Sequence, residues 1–214
     1  MKQFAAVIFD MDGVIVDSEG LHVKACQTLI AEVGLQNNLK LKLADYYGVS
    51  DKVFLRDLIQ KHNLPHELEE LNERKLNLLL QYLRDTRPVF RELHELVPEL
   101  ARHYPLAIAS LSSHRMIDVV LEVSGLRPHF QVIVGAEDIR HPKPDPEIYF
   151  RAATKLKVKP STCCVIEDSP VGVQAAKMAG MTCIGLTTGQ PAEKLKRADF
   201  IAKDHADLRG RLLN

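Results

Sequence analysis

The sequence has no excess of charge of either sign. Its 214 residues include 28 lysines and arginines and 28 aspartates and glutamates. A protein that binds nucleic acid through its phosphates needs a clustered surplus of basic side chains, so we expect no nucleic-acid partner. The balanced charge neither favours nor excludes a dimer, and we take a monomer as the starting hypothesis.

Long hydrophobic runs are also missing. No window of the sequence reaches the roughly 18 apolar residues that a membrane-spanning helix needs. The longest apolar stretch near the N-terminus, residues 5–9, is too short for the apolar region of a signal peptide. We therefore expect a cytoplasmic protein that does not enter a membrane.

Cysteines are few, and their spacing fits neither a zinc site nor a disulfide framework. The four cysteines are Cys26, Cys163, Cys164 and Cys183, and none of them forms a Cys-x-x-Cys motif. The adjacent Cys163 and Cys164 would point to opposite faces of a strand, which argues against a shared disulfide or metal. We predict reduced core thiols, which are typical of cytoplasmic proteins.

Three common catalytic motifs are absent as well. The sequence contains no G-x-x-x-x-G-K-S/T phosphate loop, no G-x-G-x-x-G dinucleotide fingerprint and no G-x-S-x-G nucleophile elbow. ATP-dependent, NAD-dependent and serine-hydrolase functions therefore have no support in the sequence.

Short apolar runs recur along the chain and alternate with helical patterns. The runs lie at residues 5–9, 106–109, 131–134, 162–166, 182–186 and 200–202, and the helical patterns at about 88–103, 114–124, 146–156, 169–179 and 191–196. Continuous apolar runs favour strands that are buried on both faces of a parallel sheet. The alternation predicts an α/β fold with a doubly wound, mostly parallel, Rossmann-like sheet.

Residues 17–84 interrupt this alternation. They contain no comparable strand run and instead show amphipathic helical patterns, for example at 21–33, 52–62 and 67–84. We predict an α/β core domain of residues 1–16 and 85–214, with a helical domain of residues 17–84 inserted after the first strand.

Polar side chains follow four of the predicted strands. They are Asp10 and Asp12 after the first strand, Ser110, Ser112 and Ser113 after the second, Lys143 in the loop after the third, and Glu167, Asp168 and Ser169 after the fourth. Taken singly, each has a structural explanation, because serine and aspartate cap helices and occupy turns. Ligands of open α/β sheets bind beyond the carboxyl ends of the strands, however, and all four groups belong at that edge.

The combination of these side chains favours phosphoryl transfer. Several carboxylates attract a hard divalent cation such as Mg²⁺, and hydroxyl, backbone N–H and lysine donors suit phosphate oxygens. A carboxylate such as Asp10 can act as a nucleophile and form an aspartyl phosphate. Asp12 can protonate the leaving oxygen and later deprotonate water or an acceptor hydroxyl.

Four segments, in this order, resemble the four motifs of the haloacid dehalogenase superfamily. They are residues 10–18 (DMDGVIVDS), 108–112 (IASLS), 143–146 (KPDP) and 165–169 (VIEDS). The resemblance covers nearly the whole chain and is closest to the β-phosphoglucomutase-like phosphatases. It implies that the helical insert is a mobile cap that closes over the substrate and excludes water.

The resemblance also implies a role for each core residue. Asp10 would be the nucleophile and a metal ligand, and Asp12 the general acid and base, with its backbone carbonyl on Mg²⁺. The phosphoryl group would be bound by Ser110, the backbone near Leu111, and Lys143. Asp168 would ligate the metal, and Glu167 would either ligate it or support a ligand.

In the predicted cap, the resemblance points to Ser18, His22 and Lys75 as groups on the substrate side. Residues 48–50 (GVS) resemble the cap loop of the mutase, in which an arginine follows and holds a second phosphate. Asp51 stands at that position here and would repel a phosphate. The next residue, Lys52, could replace the arginine only if the loop shifts, and it lacks the bidentate fork of arginine.

A second departure is His141-Pro142 before Lys143, where relatives usually have a glycine. It could alter the loop but leaves Lys143 in place.

The sequence thus predicts a Mg²⁺-dependent phosphatase that hydrolyses a small phosphorylated metabolite, in our interpretation a sugar phosphate, through an aspartyl phosphate. The alternative is a sugar phosphomutase of the β-phosphoglucomutase type. A dehalogenase would need neither Asp12 nor a metal. A non-catalytic scaffold is disfavoured because the whole set of candidate residues is intact.

Overall fold

The computed structural model describes residues 4–46 and 51–213. The chain divides into two units, one of Met1–Asp17 and Arg87–Asn214 and the other of Ser18–Thr86. These boundaries lie within two residues of those that the sequence predicts. Within the described ranges, no helix has both the length and the apolar character needed to cross a membrane.

The helices and strands have the following bounds. The strands are β1 (Ala6–Phe9), β2 (Leu106–Ala109), β3 (Val132–Val134), β4 (Cys163–Glu167), β5 (Thr182–Leu186) and β6 (Phe200–Ala202). The α-helices are α1 (Glu19–Glu32), α2 (Asp51–His62), α3 (Leu68–Thr86), α4 (Leu93–Ala101), α5 (His114–Ser124), α6 (Glu147–Lys155), α7 (Pro170–Met178) and α8 (His205–Leu213). The first three helices form the helical unit, and the other elements form the α/β unit.

The six strands form one sheet in the order β3-β2-β1-β4-β5-β6, and every neighbouring pair is parallel. The predicted α/β fold with a parallel, Rossmann-like sheet is therefore confirmed. Phe9 lies opposite both Ile108 and Ile166 in the register of the central strands. Strands β1, β2 and β4 consequently end at the same level, and the residues that follow them meet at one edge.

Both faces of the sheet are buried. Ile8, Ala107 and Val165 belong to an apolar cluster that also contains buried residues of α6 and α7. Their chain neighbours Val7 and Ile166 are also fully buried, and successive side chains of a strand point to opposite faces. Burial on both faces explains why the strands appear in the sequence as continuous apolar runs.

The cysteines fit this arrangement. All four thiols are free, and Cys163 belongs to the cluster on one face whereas its neighbour Cys164 does not. Both are fully buried.

The structure corrects three secondary-structure predictions. The helix predicted at 191–196 is only a 3-10 turn, Ala192–Lys194. The helix predicted from residue 88 begins at Leu93, because Val89 instead forms a β-bridge with Val16. Helix α8 was not predicted, since within this short segment only Leu208 and Leu212 are buried apolar residues.

The helical unit has its own apolar core. Helix α3 packs against both α1 and α2. The core consists of buried residues from these helices and the segment between them: Leu29, Ile30, Leu41, Phe54, Leu55, Leu58 and Leu71. The segment 48–50, which resembles a cap loop in sequence, lies outside the described residues.

Candidate active site

Lys143 joins the ends of three strands. Its Nζ donates hydrogen bonds to Oδ1 of Asp10 at 2.5 Å, to Oε1 of Glu167 at 2.6 Å and to the carbonyl oxygen of Ala109 at 3.3 Å. Burial alone would lower the pKa of the Lys143 ammonium, but the charges of Asp10 and Glu167 raise it above its usual range. The lysine is therefore a buried, fixed positive charge beside two carboxylates.

Glu167 is fully buried and fully hydrogen-bonded. Its Oε1 accepts from Lys143 and from the hydroxyl of Tyr149 at 2.8 Å, and its Oε2 accepts from the backbone N–H and hydroxyl of Ser169 at 3.0 and 2.9 Å. Burial raises the pKa of Glu167, but Lys143 and these donors outweigh burial and lower it. A Cβ at Gly172 would lie 1.6 Å from Oε1, so the site requires glycine at this position.

The carboxylates of Asp10, Glu167 and Asp168 form one cluster. Each offers an oxygen, and these oxygens lie within 4.8 Å of one another. Burial and the neighbouring carboxylates raise the pKa of Asp168 to about 7, and burial raises the pKa of Asp10 well above its usual value. Burial is the main cause of both shifts, the neighbouring carboxylates add to it, and Lys143 opposes the rise in pKa only in part. Clustered carboxylate oxygens of this kind fit a hard divalent cation such as Mg²⁺.

The Asp168 carboxylate lies where two glycines, Gly13 and Gly189, have no side chain. A Cβ at Gly13 would lie 2.0 Å from Oδ2 of Asp168, and a Cβ at Gly189 would lie 2.1 Å from the same oxygen. Gly13 also has a φ of +74°, in the left-handed region that favours glycine. The packing of Gly189 against Asp168 has no local signal in the sequence, because the two residues belong to different segments that meet only in the fold.

Asp12 lies in the turn after β1 and faces the serines that follow β2. Its Oδ2 accepts a hydrogen bond from the hydroxyl of Ser112 at 2.7 Å and a longer one from Ser110 at 3.5 Å. The cluster of Asp10, Glu167 and Asp168 does not include the Asp12 carboxylate. Its carboxylate therefore faces the serine hydroxyls after β2 and not the cluster of three carboxylates.

The segment after β2 supplies further donors. Ser110 is buried, and its hydroxyl accepts the N–H of Ser112 at 3.0 Å, whereas the Leu111 side chain is exposed. Ser113 caps α5 by accepting the N–H of Met116, whereas Ser112 binds Asp12. Ser169 caps α7 and also holds Glu167.

The helical unit contains a second buried lysine. Lys75 is 1% exposed, and its Nζ donates to Oδ2 of Asp51 at 2.5 Å and to Nδ1 of His22 at 2.9 Å. An ammonium has no acceptor atom, so Nδ1 of His22 is the acceptor. Ser18 is buried at the N-cap position of α1. Lys52 does not join this group, because it is half-exposed and pairs with Glu69 at 2.9 Å.

His141, Asp145 and Glu147 bring three potential ligand atoms within 4.8 Å of one another. The oxygens of Glu147 already accept hydrogen bonds from the Arg151 side chain and from the backbone N–H groups of Arg140 and His141. These bonds, first among them that of Arg151, lower the pKa of Glu147 to about 2. The group organises the start of α6 and explains how His141 is accommodated before Lys143.

Comparisons with known proteins show what the chain is similar to in sequence and fold. Residues 7–186 match the family model of haloacid dehalogenase-like hydrolases. Hexitol phosphatase B of Escherichia coli (strain K12) is 34% identical over 190 residues, which cover 86% of this chain and 83% of that protein. β-Phosphoglucomutase of Bacillus subtilis (strain 168) is 30% identical over 221 residues, covering 98% of this chain and 93% of that protein. The crystal structure of β-phosphoglucomutase from Clostridium difficile superposes with a TM-score of 0.77 at 23% identity, covering 99% of this chain and 100% of that one.

Proposed function

Because the chain belongs to the haloacid dehalogenase-like hydrolase family, we propose that it is a phosphoric monoester hydrolase acting on small sugar or polyol phosphates. The proposal depends on one observation at the edge of the sheet. There Lys143 forms hydrogen bonds with both Asp10 and Glu167, and the carboxylate of Asp168 lies beside these two. This edge combines a nucleophilic carboxylate, a fixed positive charge and a group of cation ligands.

In the first step, the Asp10 carboxylate attacks phosphorus and the bond between phosphorus and the leaving oxygen breaks. Asp12 donates a proton to that oxygen, so that the product leaves as a neutral alcohol. The hydroxyl of Ser110 and the backbone N–H of Leu111 bind phosphoryl oxygens. Lys143 offsets the repulsion between the anionic nucleophile and the anionic substrate.

In the second step, the ionised Asp12 accepts a proton from water, and the resulting hydroxide attacks the phosphorus of the aspartyl phosphate. The bond between phosphorus and the Asp10 oxygen breaks, which releases inorganic phosphate and restores both carboxyl groups. The hydrogen bond from Ser112 to Oδ2 of Asp12 at 2.7 Å keeps this group oriented in both steps.

We assign Mg²⁺ to Asp10, Asp168 and the backbone carbonyl of Asp12. Glu167 completes the predicted metal group, but both of its oxygens already accept hydrogen bonds, so we assign it to holding Lys143. When bound, the cation offsets the negative charge that the nucleophile and the phosphoryl group bring together.

The helical unit favours hydrolysis over the alternative, a sugar phosphomutase. A mutase of the β-phosphoglucomutase type must hold the second phosphate of a bisphosphate. Lys75 is already paired with Asp51 at 2.5 Å, and this pairing makes it a poor site for a second phosphate. We therefore propose a substrate with a single phosphate and a neutral, hydroxyl-rich remainder.

The test is phosphate release from a panel of hexitol, hexose and pentose monophosphates, with Mg²⁺ and with a chelator, using Asp10→Asn as the blank. We expect release that needs Mg²⁺, returns when Mg²⁺ is restored and is absent from the variant. Release that survives in Asp10→Asn would contradict the proposal.

β-Glucose 1-phosphate is assayed in parallel for conversion to glucose 6-phosphate, in the wild type and in Asp51→Arg. Conversion with little phosphate release would favour the mutase. If Asp51→Arg gains no mutase activity and still releases phosphate, hydrolysis is favoured.

A further inference from the structure

We propose that His205, on the helix that the sequence did not predict, is a positioning residue for the turn that carries Asp12. The proposal rests on the function assigned to Asp12 above. His205 is 3% exposed, and its Nε2 donates a hydrogen bond to the carbonyl oxygen of Val14 at 2.8 Å. Val14 lies two residues after Asp12, although it is separated from His205 by 191 positions of the chain.

The ring of His205 is also fixed by packing, in addition to the hydrogen bond made by its nitrogen. It packs against the ring of Phe90, with a distance of 4.8 Å between centroids. The backbone N–H of Phe90 donates to the carbonyl of Ile15 at 3.2 Å. His205 and Phe90 therefore hold two successive carbonyl groups of the same turn.

The turn after Asp12 uses its own N–H groups internally. The N–H of Gly13 bonds the carbonyl of Val16 at 2.8 Å, and the N–H of Ile15 bonds the carbonyl of Met11 at 2.7 Å. The carbonyls of Gly13 and Val14 take donors from the C-terminal part of the chain instead, from Thr188 and His205. Side chains distant in sequence thus complete the hydrogen bonding of this turn.

Burial of a polar ring at this position requires a compensating hydrogen bond. The other inward positions of α8, Leu208 and Leu212, are apolar. An apolar side chain at 205 would satisfy packing but would remove the donor to Val14. Leaving a buried carbonyl without a hydrogen-bond donor is unfavourable, so the turn would shift to recover a partner.

A shift of the turn would act on the reaction through Asp12. Proton transfer needs donor and acceptor at hydrogen-bond distance, so a small displacement of Asp12 weakens its action as an acid. The loss depends on the leaving group. An alkyl phosphate needs a proton on its leaving oxygen, whereas p-nitrophenolate leaves readily without one.

The test compares His205→Phe, which keeps a ring against Phe90 but has no N–H, with His205→Gln, which keeps a donor. In His205→Phe, which loses this hydrogen bond, we expect kcat/KM for a hexitol phosphate to fall about tenfold. For p-nitrophenyl phosphate we expect kcat/KM to fall less than about threefold. His205→Gln recovers most of the loss.

Tyr104→Phe is the matched control. Its hydroxyl donates to the carbonyl of Leu212 at 3.1 Å, so this variant also removes a bond from a side chain to the backbone of α8, but away from the Asp12 turn. We expect it to leave the ratio of kcat/KM for the two substrates unchanged. Hydrogen exchange in the peptide of residues 11–17 should rise in His205→Phe and not in Tyr104→Phe.

Wild-type kinetics and exchange in His205→Phe would overturn the proposal, as would an equal loss on both substrates. If the wild-type protein itself releases no phosphate, the proposed function fails. The exchange measurement then decides by itself whether His205 fixes this turn.

Discussion

Two buried lysines, one in each unit, have different electrostatic surroundings. Lys143 in the α/β unit is 9% exposed and bonds Asp10 and Glu167, and Asp168 adds a third carboxylate to the cluster. Lys75 in the helical unit is 1% exposed and bonds the carboxylate of Asp51 together with the ring of His22. The first group has more negative than positive charge, whereas the second is a balanced pair.

This difference in net charge indicates a different role for the group around Lys143 and the group around Lys75. Surplus negative charge is costly to bury, and the raised pKa values of Asp10 and Asp168 reflect that cost. In the proposed function, the same surplus would attract a divalent cation to this edge of the sheet. A balanced pair has no such affinity, so we expect Lys75 and Asp51 to contribute to stability and to the choice of substrate.

The largest effect should come from removing the nucleophile in the charged group. Asp10→Asn keeps the size of the side chain and, since it removes the attacking carboxylate, should lower kcat by at least about 10³-fold. Phosphate release measures the loss, and circular dichroism checks that the variant folds. Turnover near the wild-type value would remove Asp10 from the mechanism.

A smaller loss should follow from neutralising the lysine between the carboxylates. Lys143→Gln keeps a hydrogen-bond donor but removes the charge that stabilises the transition state, so we expect kcat to fall about 10²-fold. Steady-state kinetics with saturating Mg²⁺ measures it. Lys143→Arg serves as the charge-preserving control, and equal activity in the Gln and Arg variants would show that the charge is not needed.

Substituting Asp51 and substituting Lys75 should lower the free energy of unfolding by different amounts. Asp51→Asn leaves Lys75 charged and buried, and we expect it to cost about 1–3 kcal/mol in the free energy of unfolding. Lys75→Met removes the buried charge and leaves Asp51, whose side chain is 39% exposed, so its cost should be smaller. Urea unfolding of both variants measures the difference, and the reverse order would refute the description of the pair.

The smallest effect concerns pH. Burial and the neighbouring carboxylates raise the pKa of Asp168 to about 7. Protons compete with Mg²⁺ for a carboxylate, so the increase in Tm that Mg²⁺ produces should grow as pH rises through about 7 and shrink as pH falls below it. Thermal unfolding with and without Mg²⁺ across this range measures the increment, and Asp168→Asn is the control. An increment that is largest in acid would contradict the assignment.

The fold of the α/β unit could be predicted from the sequence because its strands are buried on both faces. Runs such as residues 5–9 and 162–166 differ clearly from amphipathic helices, and their order led directly to a parallel sheet. Helix α8 could not be found in this way, since one side of it is only partly apolar and the segment is short. His205 was missed together with the helix that carries it.

The candidate site could be predicted where side chains directly follow strands. Asp10, Ser110 and Asp168 lie at strand ends, and the topology alone brings these together. Tyr149 and Gly189 could not be predicted, because their contacts with Glu167 and Asp168 depend on how α6 and the segment after β5 pack.

The helical unit was harder to predict than the core. Asp51 and Lys52 are neighbours in sequence, but successive residues of a helix point about 100° apart. Only Asp51 reaches Lys75, and Lys52 pairs with Glu69. The assignment of Lys52 as a substitute for the missing arginine therefore gains no support from the structure, and Ser18, His22 and Lys75 stay predictions.

The central claim is that Asp10 carries the phosphoryl group between two steps that both use Asp12. It is tested most directly by mixing the protein and Mg²⁺ with a ³²P-labelled phosphomonoester substrate, quenching in acid and mapping the protein-bound label. We predict a hydroxylamine-labile label on Asp10 that is absent from Asp10→Asn. Full turnover of substrate with no protein-bound label, or a label on another residue, would contradict the account.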